Sequence, residues 1–210
     1  MRIRIAYLMS VLALTGLTWL ALAPVSVFDR AVLLWFREAS LMLRGPVWLA
    51  VVTRDITALG SNWVLLFAMA VLALVLIMRR RVRDGLEVLL LSLGGVGLSM
   101  GAKYIFARPR PELVPHLIEV YTPSFPSGHA TMSMVCFLTA ALVMSRPWQH
   151  IGARRTLIVF AVLSSLLVGV SRIMLGVHWP TDVMAGWLVG GLWVLSVNQC
   201  CTHRRSDVAA

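Results

Sequence analysis

The sequence predicts an all-α integral membrane bundle of six transmembrane helices, with an interfacial helix in the first outer loop. Three observations predict it: an apolar composition, six apolar stretches of roughly membrane-spanning length, and arginines grouped at alternate junctions between them. Of the 210 residues, 59% are hydrophobic and only 13% are charged, about half the charged share of an ordinary soluble domain. So few polar groups cannot cover a soluble surface of this size. One membrane domain, residues 1–210 with a motif-bearing part at about 86–197, accommodates the chain.

A helix needs about 20 apolar residues to cross the hydrocarbon, and fewer where protein shields its ends. The qualifying segments are 5–23, 62–78, 86–107, 128–145, 156–171 and 180–197. The first resembles a signal peptide, with Arg2 and Arg4 before an apolar stretch and Ala21-Leu22-Ala23 after it. Pro24 at the would-be cut disfavours cleavage, so the segment is read as a retained helix.

Orientation follows from the basic residues. Arg2 and Arg4, then Arg79, Arg80, Arg81 and Arg83, then Arg146, Arg154 and Arg155, then Arg204 and Arg205 all fall on one side if there are six crossings. The positive-inside rule makes that side cytoplasmic, with both termini there and the protein in an inner (plasma) membrane. Loops 25–61, 108–127 and 172–179 then lie outside. The net charge of +10 is accounted for by these clusters, which removes the usual reason to expect a nucleic-acid partner. Cys136, Cys200 and Cys201 show neither a CxxC spacing nor a disulfide framework.

In the first outer loop, Asp29 is positioned to cap a helix that Gly45-Pro46 would end. Arg30, Arg37 and Arg44, seven residues apart, would form its polar stripe and Trp35, Phe36, Met42 and Leu43 its apolar face. Such a helix would lie at the interface, against lipid head groups or packed on the bundle. Two GxxxG pairs, Gly97/Gly101 and Gly186/Gly190, predict close helix packing.

Three separated stretches carry candidate chemistry. Lys103, the sole lysine, lies near the outer end of the third span, where a buried ammonium normally faces a partner or a polar cavity. Arg110 follows in Arg108-Pro109-Arg110-Pro111, so two cations sit near one another, and a guanidinium suits phosphate bidentately. Pro126-Ser127-Gly128-His129 opens the fourth span, with Ser124 as a candidate cap. The free amides of Ser127 and Gly128 would make an anion cradle, and His129 at its mouth can exchange a proton. Ser171-Arg172 and His178-Trp179-Pro180-Thr181-Asp182 end the fifth span and begin the sixth. Asp182 follows His178 by four residues, and a carboxylate beside imidazole fixes its tautomer and frees its other nitrogen for attack. Each stretch alone also fits an ordinary helix end. Together they fall at the outer ends of spans three to six, which is the stronger signal.

At these residues the chain resembles the type 2 phosphatidic acid phosphatase family, related to the vanadium haloperoxidases. The signature is a lysine, six residues and Arg-Pro (Lys103 to Arg110-Pro111), then Pro-Ser-Gly-His (Pro126 to His129), then Ser-Arg, five residues, His, three residues and Asp (Ser171-Arg172, His178, Asp182). The resemblance implies that His178 attacks phosphorus to form a phosphohistidine, with Asp182 orienting it. It implies that His129 protonates the leaving oxygen and then activates water. Lys103, Arg110, Ser127, Gly128 and Arg172 would hold the phosphate oxygens. No carboxylate cluster suited to Mg²⁺ is visible, so neither metal nor cofactor is expected. The implied substrate is a lipid phosphate or diphosphate such as undecaprenyl diphosphate, phosphatidate or phosphatidylglycerophosphate. Alternatives are a lipid phosphotransferase using the same intermediate, which an acceptor lipid would reveal, and a non-catalytic lipid-phosphate binding or transport protein, which would not need the two histidines. Soluble haloperoxidase chemistry does not suit six apolar spans. Oligomeric state leaves no mark in the sequence.

Overall fold

The computed structural model describes residues 25–201 throughout, the backbone of 202–209, and isolated positions between 9 and 19. The segment 5–23, read as the first span, lies largely outside the described residues. The described elements are α1 (Val27–Trp35), α2 (Trp48–Ala58), α3 (Asn62–Met78), α4 (Val82–Phe106), α5 (Gly128–Met144), α6 (Ile151–Met174) and α7 (Pro180–Ala209). Among the described residues there is no β-strand beyond an isolated bridge between Arg37 and Leu43.

Hydropathy alone located α3 to α7. Polar flanks such as Arg154 and Arg155 extend α6 to Ile151, because a helix can continue past the apolar stretch once its side chains reach water. α4, α6 and the Pro180–Cys201 part of α7 are each long and apolar enough to cross a membrane. α2 and α3, bent by 43° at the break between them, make a fourth crossing if taken as one broken span. α5 is apolar but only 17 residues long. The chain is an all-helical membrane protein.

α5 is the hub. It packs against α3, α4, α6 and α7, and its buried residues, among them Ala130, Met132, Val135, Leu138 and Val143, lie on all sides of the helix, as a fully enclosed helix requires. α3 shows the opposite arrangement. Leu65, Met69, Ala73 and Leu76 recur at helical spacing on its buried face, whereas Trp63, Phe67, Val71, Leu74 and Met78 are exposed. An apolar exterior of that kind suits lipid.

The glycines of α7 bring it against α5. A Cβ at Gly186 would stand 2.8 Å from the Ser127 carbonyl oxygen, and one at Gly190 would stand 2.7 Å from that of Thr131. The Gly97/Gly101 pair behaves differently from expectation. Both residues are exposed, and among the described residues a Cβ at either meets nothing within 4 Å. On α4 the close contacts belong instead to Gly94, against Trp193, and Gly95, against Val135 and Met132, because that face of the helix turns inward.

The first outer loop is two helices rather than one. Ser26, not Asp29, caps α1 by accepting from the Asp29 amide. The helix stops at Trp35 because Arg37 is drawn inside, donating from Nη2 to the Met174 carbonyl at 2.9 Å. The arginine stripe therefore does not form. Arg44 turns back to donate to the Arg37 carbonyl, and α2 begins after Gly45-Pro46.

At the end of the bundle where α5 finishes, Arg146 donates to Asp84 and Glu87 at 2.6 Å each and to Asn198 Oδ1 at 2.7 Å. Arg81 binds Asp84 and the Val143 carbonyl. Glu87, a lone charge within an apolar segment, is thus buried and paired. The network ties α4, α5 and α7 together and leaves the opposite end to the site.

Candidate active site

The site forms where three helix ends meet. α4 stops at Ala107, which takes a left-handed conformation (φ 44°), and Arg108-Pro109 follows, where a helix cannot continue. α5 starts at Gly128, and α7 starts at Pro180 after the loop that follows α6. A cavity of about 520 Å³ opens among these ends. Lys103, Arg110, Gly128, His129, Arg172 and His178 all line it. Residues between Lys103 and His178 thus supply one concave cationic surface from three remote stretches.

Each cation is held by neutral oxygen acceptors. Lys103 Nζ donates to the Pro123 carbonyl at 2.5 Å. Arg110 donates from Nε to the Thr122 carbonyl at 2.8 Å and from Nη1 to the Val177 carbonyl at 2.6 Å. Arg172 Nη1 donates to Thr57 Oγ1 at 2.9 Å, while its buried Nε has no partner among the described residues. Held by neutral acceptors, these three groups keep their positive charge available to an anion. Burial lowers the Arg110 pKa to about 10, an effect that Asp182 opposes, so the group stays protonated at neutral pH.

His178 is enclosed, with 1% of its surface exposed. Its Nε2 faces Arg110 Nη1 at 3.3 Å, on the cavity side. Its Nδ1 lies 3.5 Å from Asp182 Oδ2 and 3.4 Å from Ser124 Oγ. Burial pushes its pKa well below the usual histidine range, and Arg110, Arg172 and Lys103 push it further the same way. The ring is therefore neutral at pH 7, the form that has a lone pair to give.

Asp182 sits behind the ring, wholly buried. Its Oδ2 accepts from Ser124 Oγ and from the Trp179 amide at 2.9 Å. Its Oδ1 accepts from Arg108 Nη1 at 2.5 Å. Arg108 also donates to Thr181 Oγ1 at 2.8 Å and, from Nη2, to Asp29 Oδ2 at 3.0 Å. Asp29 further accepts from the Thr181 amide and hydroxyl, each at 2.9 Å.

Two expectations change here. Ser124 is not a helix cap; its hydroxyl serves Asp182, and Ser127 is the residue at the cap position. Ser127 is fully buried and does not line the cavity. Its amide donates to the Asp182 carbonyl at 3.0 Å instead of facing a phosphate, and its hydroxyl has no partner among the described residues. Gly128 does face the cavity, and a Cβ there would stand 3.7 Å from Lys103 Cε and Ser99 Oγ. Sequence reasoning passed over Arg108 and read Asp29 only as a helix cap. It also passed over Thr57, Ser61, Asn62 and Trp63, which line the cavity from the break between α2 and α3. The Arg108-Pro109-Arg110-Pro111 string was the one local signal for Arg108. Asp29 carries none, since its partners lie 79 and 152 positions away. His116 is exposed and outside the cavity lining.

A model of the PAP2 superfamily matches residues 85–206. Phosphatidylglycerophosphatase B of Bacillus subtilis is 30% identical over 154 residues, covering 73% of this chain and 75% of that protein. Undecaprenyl-diphosphatase of Sulfolobus acidocaldarius is 33% identical over 129 residues, covering 59% of this chain and 58% of that protein. Among solved structures, the transmembrane PAP2-type phosphatidylglycerolphosphate phosphatase of B. subtilis superposes with a TM-score of 0.79 at 27% identity, covering 90% of this chain and 94% of that one. Aquifex aeolicus LpxE superposes with a TM-score of 0.63 at 28% identity, covering 83% and 96%. Fold and cavity together define a membrane-embedded hydrolase of lipid phosphates. The chain belongs to the PAP2 superfamily.

Proposed function

We propose that the protein dephosphorylates a lipid phosphate or diphosphate through a phosphohistidine on His178. The observation that carries this is the placement of that ring. One nitrogen is turned to Asp182, and the other is turned to a cavity shared with His129 and three cations.

In the first step His178 Nε2 attacks phosphorus, the bond from phosphorus to the lipid oxygen breaks, and His129 delivers a proton to that oxygen. The Nδ1–H of the resulting cationic ring is supported by Asp182. In the second step His129 takes a proton from water, the water oxygen attacks phosphorus, and the N–P bond breaks. Inorganic phosphate leaves, and His178 is neutral again. Lys103, Arg110 and Arg172 balance the negative charge on the phosphoryl oxygens throughout. The first amides of α5, from Gly128 onward, are left without intrahelical partners and add donors. Ser127 contributes by tying the head of α5 to Asp182. Charge supplied in this preorganised way is what phosphoryl transfer requires, and losing one such donor costs about 3–4 kcal/mol, or 10²–10³ in rate.

The same reading places six crossings in the inner membrane, with the termini cytoplasmic and the cavity on the outer side. The arginines of the 79–83 and 146–155 junctions support that orientation. The substrate class is a polyprenyl diphosphate or a glycerophospholipid phosphate, in keeping with what the named relatives act on.

The test is phosphate release by purified protein across undecaprenyl diphosphate, phosphatidylglycerophosphate and phosphatidate, with an acceptor lipid in a parallel series. His178→Ala should abolish turnover, and wild-type enzyme quenched in detergent at alkaline pH should carry phosphate on His178 that acid then releases. Normal hydrolysis by the variant would remove the nucleophile from this account.

A further inference from the structure

The carboxylate behind His178 is shared. Asp182 Oδ2 is turned toward the imidazole, while Oδ1 is gripped by Arg108 at 2.5 Å. A guanidinium that close, with 5% of its side chain exposed, would largely cancel the charge Asp182 can offer the ring. Its second terminal nitrogen, however, is held at 3.0 Å by Asp29, a carboxylate with no exposed surface. With both carboxylates ionised, the buried set Asp29, Arg108 and Asp182 carries net charge −1, not zero. Thr181 closes it, giving its hydroxyl hydrogen to Asp29 and accepting from Arg108.

Asp29 comes from α1, outside the 85–206 stretch matched by the superfamily model. A purely architectural role is the competing explanation: Asp29 accepts from the Thr181 amide and so anchors the first turn of α7. That role needs only one carboxylate oxygen. The other, Oδ2, is spent on Arg108 and the Thr181 hydroxyl, the two groups that stand between it and Asp182.

We propose that Asp29 is a positioning residue of the phosphatase reaction, acting by occupying Arg108 so that Asp182 keeps its negative charge for the cationic ring of His178. The proposal rests on the mechanism above and extends it to a residue that never touches substrate. Asp29→Asn leaves Arg108 entirely to Asp182. The cavity cations are untouched, so ground-state phosphate binding is preserved and only the step that charges the ring is slowed.

The experiment uses the full-length protein in detergent with dioctanoyl phosphatidate as substrate and inorganic phosphate as competitive inhibitor. Asp29→Asn should lower kcat by roughly 10- to 100-fold, the usual effect of losing a partner one shell out. KM and the phosphate inhibition constant should stay unchanged. Asp182→Asn should lower kcat by about 10⁴-fold, and Asp29→Asn added to it should cost nothing more, because the first acid works only through the second. A further loss in the double variant, or KM and inhibition constant moving with kcat, would make Asp29 a fold anchor and overturn the proposal. Full turnover by Asp182→Asn would defeat the underlying mechanism itself, a separate and recognisable failure. If Asp29→Asn does not accumulate as folded protein, Asp29→Asn/Arg108→Gln removes both charges of the pair, which buried sites tolerate better than the loss of one. It restores the net −1, so its kcat should stay within a few-fold of the parent. A folded double variant slowed tenfold or more would refute the charge argument.

Discussion

Replacing Gly186 with alanine asks whether α5 and α7 meet backbone to backbone beside the site. The new Cβ would stand 2.8 Å from the Ser127 carbonyl oxygen and 3.0 Å from both Ala130 Cβ and the Thr131 nitrogen. Ordinary contact begins at 3.4 Å, so α7 must withdraw by about 0.6 Å. Backbone cannot rotate out of the way as a long side chain would. Overpacking of this kind costs about 1–3 kcal/mol, and the helix-propensity gain of alanine over glycine returns about 1 kcal/mol. The net effect is a loss of about 0–2 kcal/mol. Function should suffer more than stability. A withdrawal of that size stretches the 3.0 Å bond from the Ser127 amide to the Asp182 carbonyl past hydrogen-bonding range. That bond joins the helix carrying His129 to the helix carrying Asp182. Since a 1 Å misplacement can cost about 10²-fold, kcat/KM should fall roughly tenfold. Thermal inactivation and phosphate release in detergent read both effects. Gly191→Ala, whose Cβ comes no nearer than 4.0 Å to Met134 Cγ, and Gly97→Ala, which meets nothing within 4 Å among the described residues, are the controls. Both should match or slightly exceed the parent in stability. Equal behaviour of all three variants would refute the close contact.

Arg146→Met should lower stability by about 3 kcal/mol, the low end for breaking a buried pair, because its side chain is 16% exposed. Its effect should appear in thermal inactivation and leave kcat unchanged, since it lies at the end of α5 away from the cavity. The rate of phosphohistidine formation should hold between pH 7.5 and pH 6, because the depressed pKa of His178 keeps the ring unprotonated there; a fall following a midpoint near 6.5, read by rapid quench, would contradict this. Turnover should persist in EDTA, because Lys103, Arg110 and Arg172 supply the charge; a strict requirement for a divalent ion would overturn the cation-only account.

The helices of the bundle were legible because lipid-facing and core-facing positions are both apolar, so hydropathy marks the whole segment. The motif residues were legible because their chemistry is costly in a membrane: a lone lysine and a histidine four residues before an aspartate need reasons to be there. What stayed hidden depends on distant partners. Arg30, Arg37 and Arg44 have perfect helical spacing, yet the Met174 carbonyl draws Arg37 inward and ends α1 near Trp35. Asp29 reads locally as a cap, and only the arrival of Arg108 and Thr181 makes it part of the site. α2 escaped notice because Arg54 and Asp55 interrupt its apolar run. Gly97/Gly101 and Gly186/Gly190 are identical as patterns, and nothing local says which pair turns toward a neighbour.

The brevity of α5 sets the depth at which chemistry happens. Seventeen residues rise about 26 Å, against roughly 30 Å of hydrocarbon. If the far end, where Arg81 donates to the Val143 carbonyl, lies level with the head groups, the shortfall falls at the His129 end. A reacting phosphorus would then sink a few ångströms beneath the head groups of surrounding lipids. Descent of that kind would favour esters with a slender neck over bulky ones, so the length of one helix would act as a filter on which lipids can be emptied of phosphate.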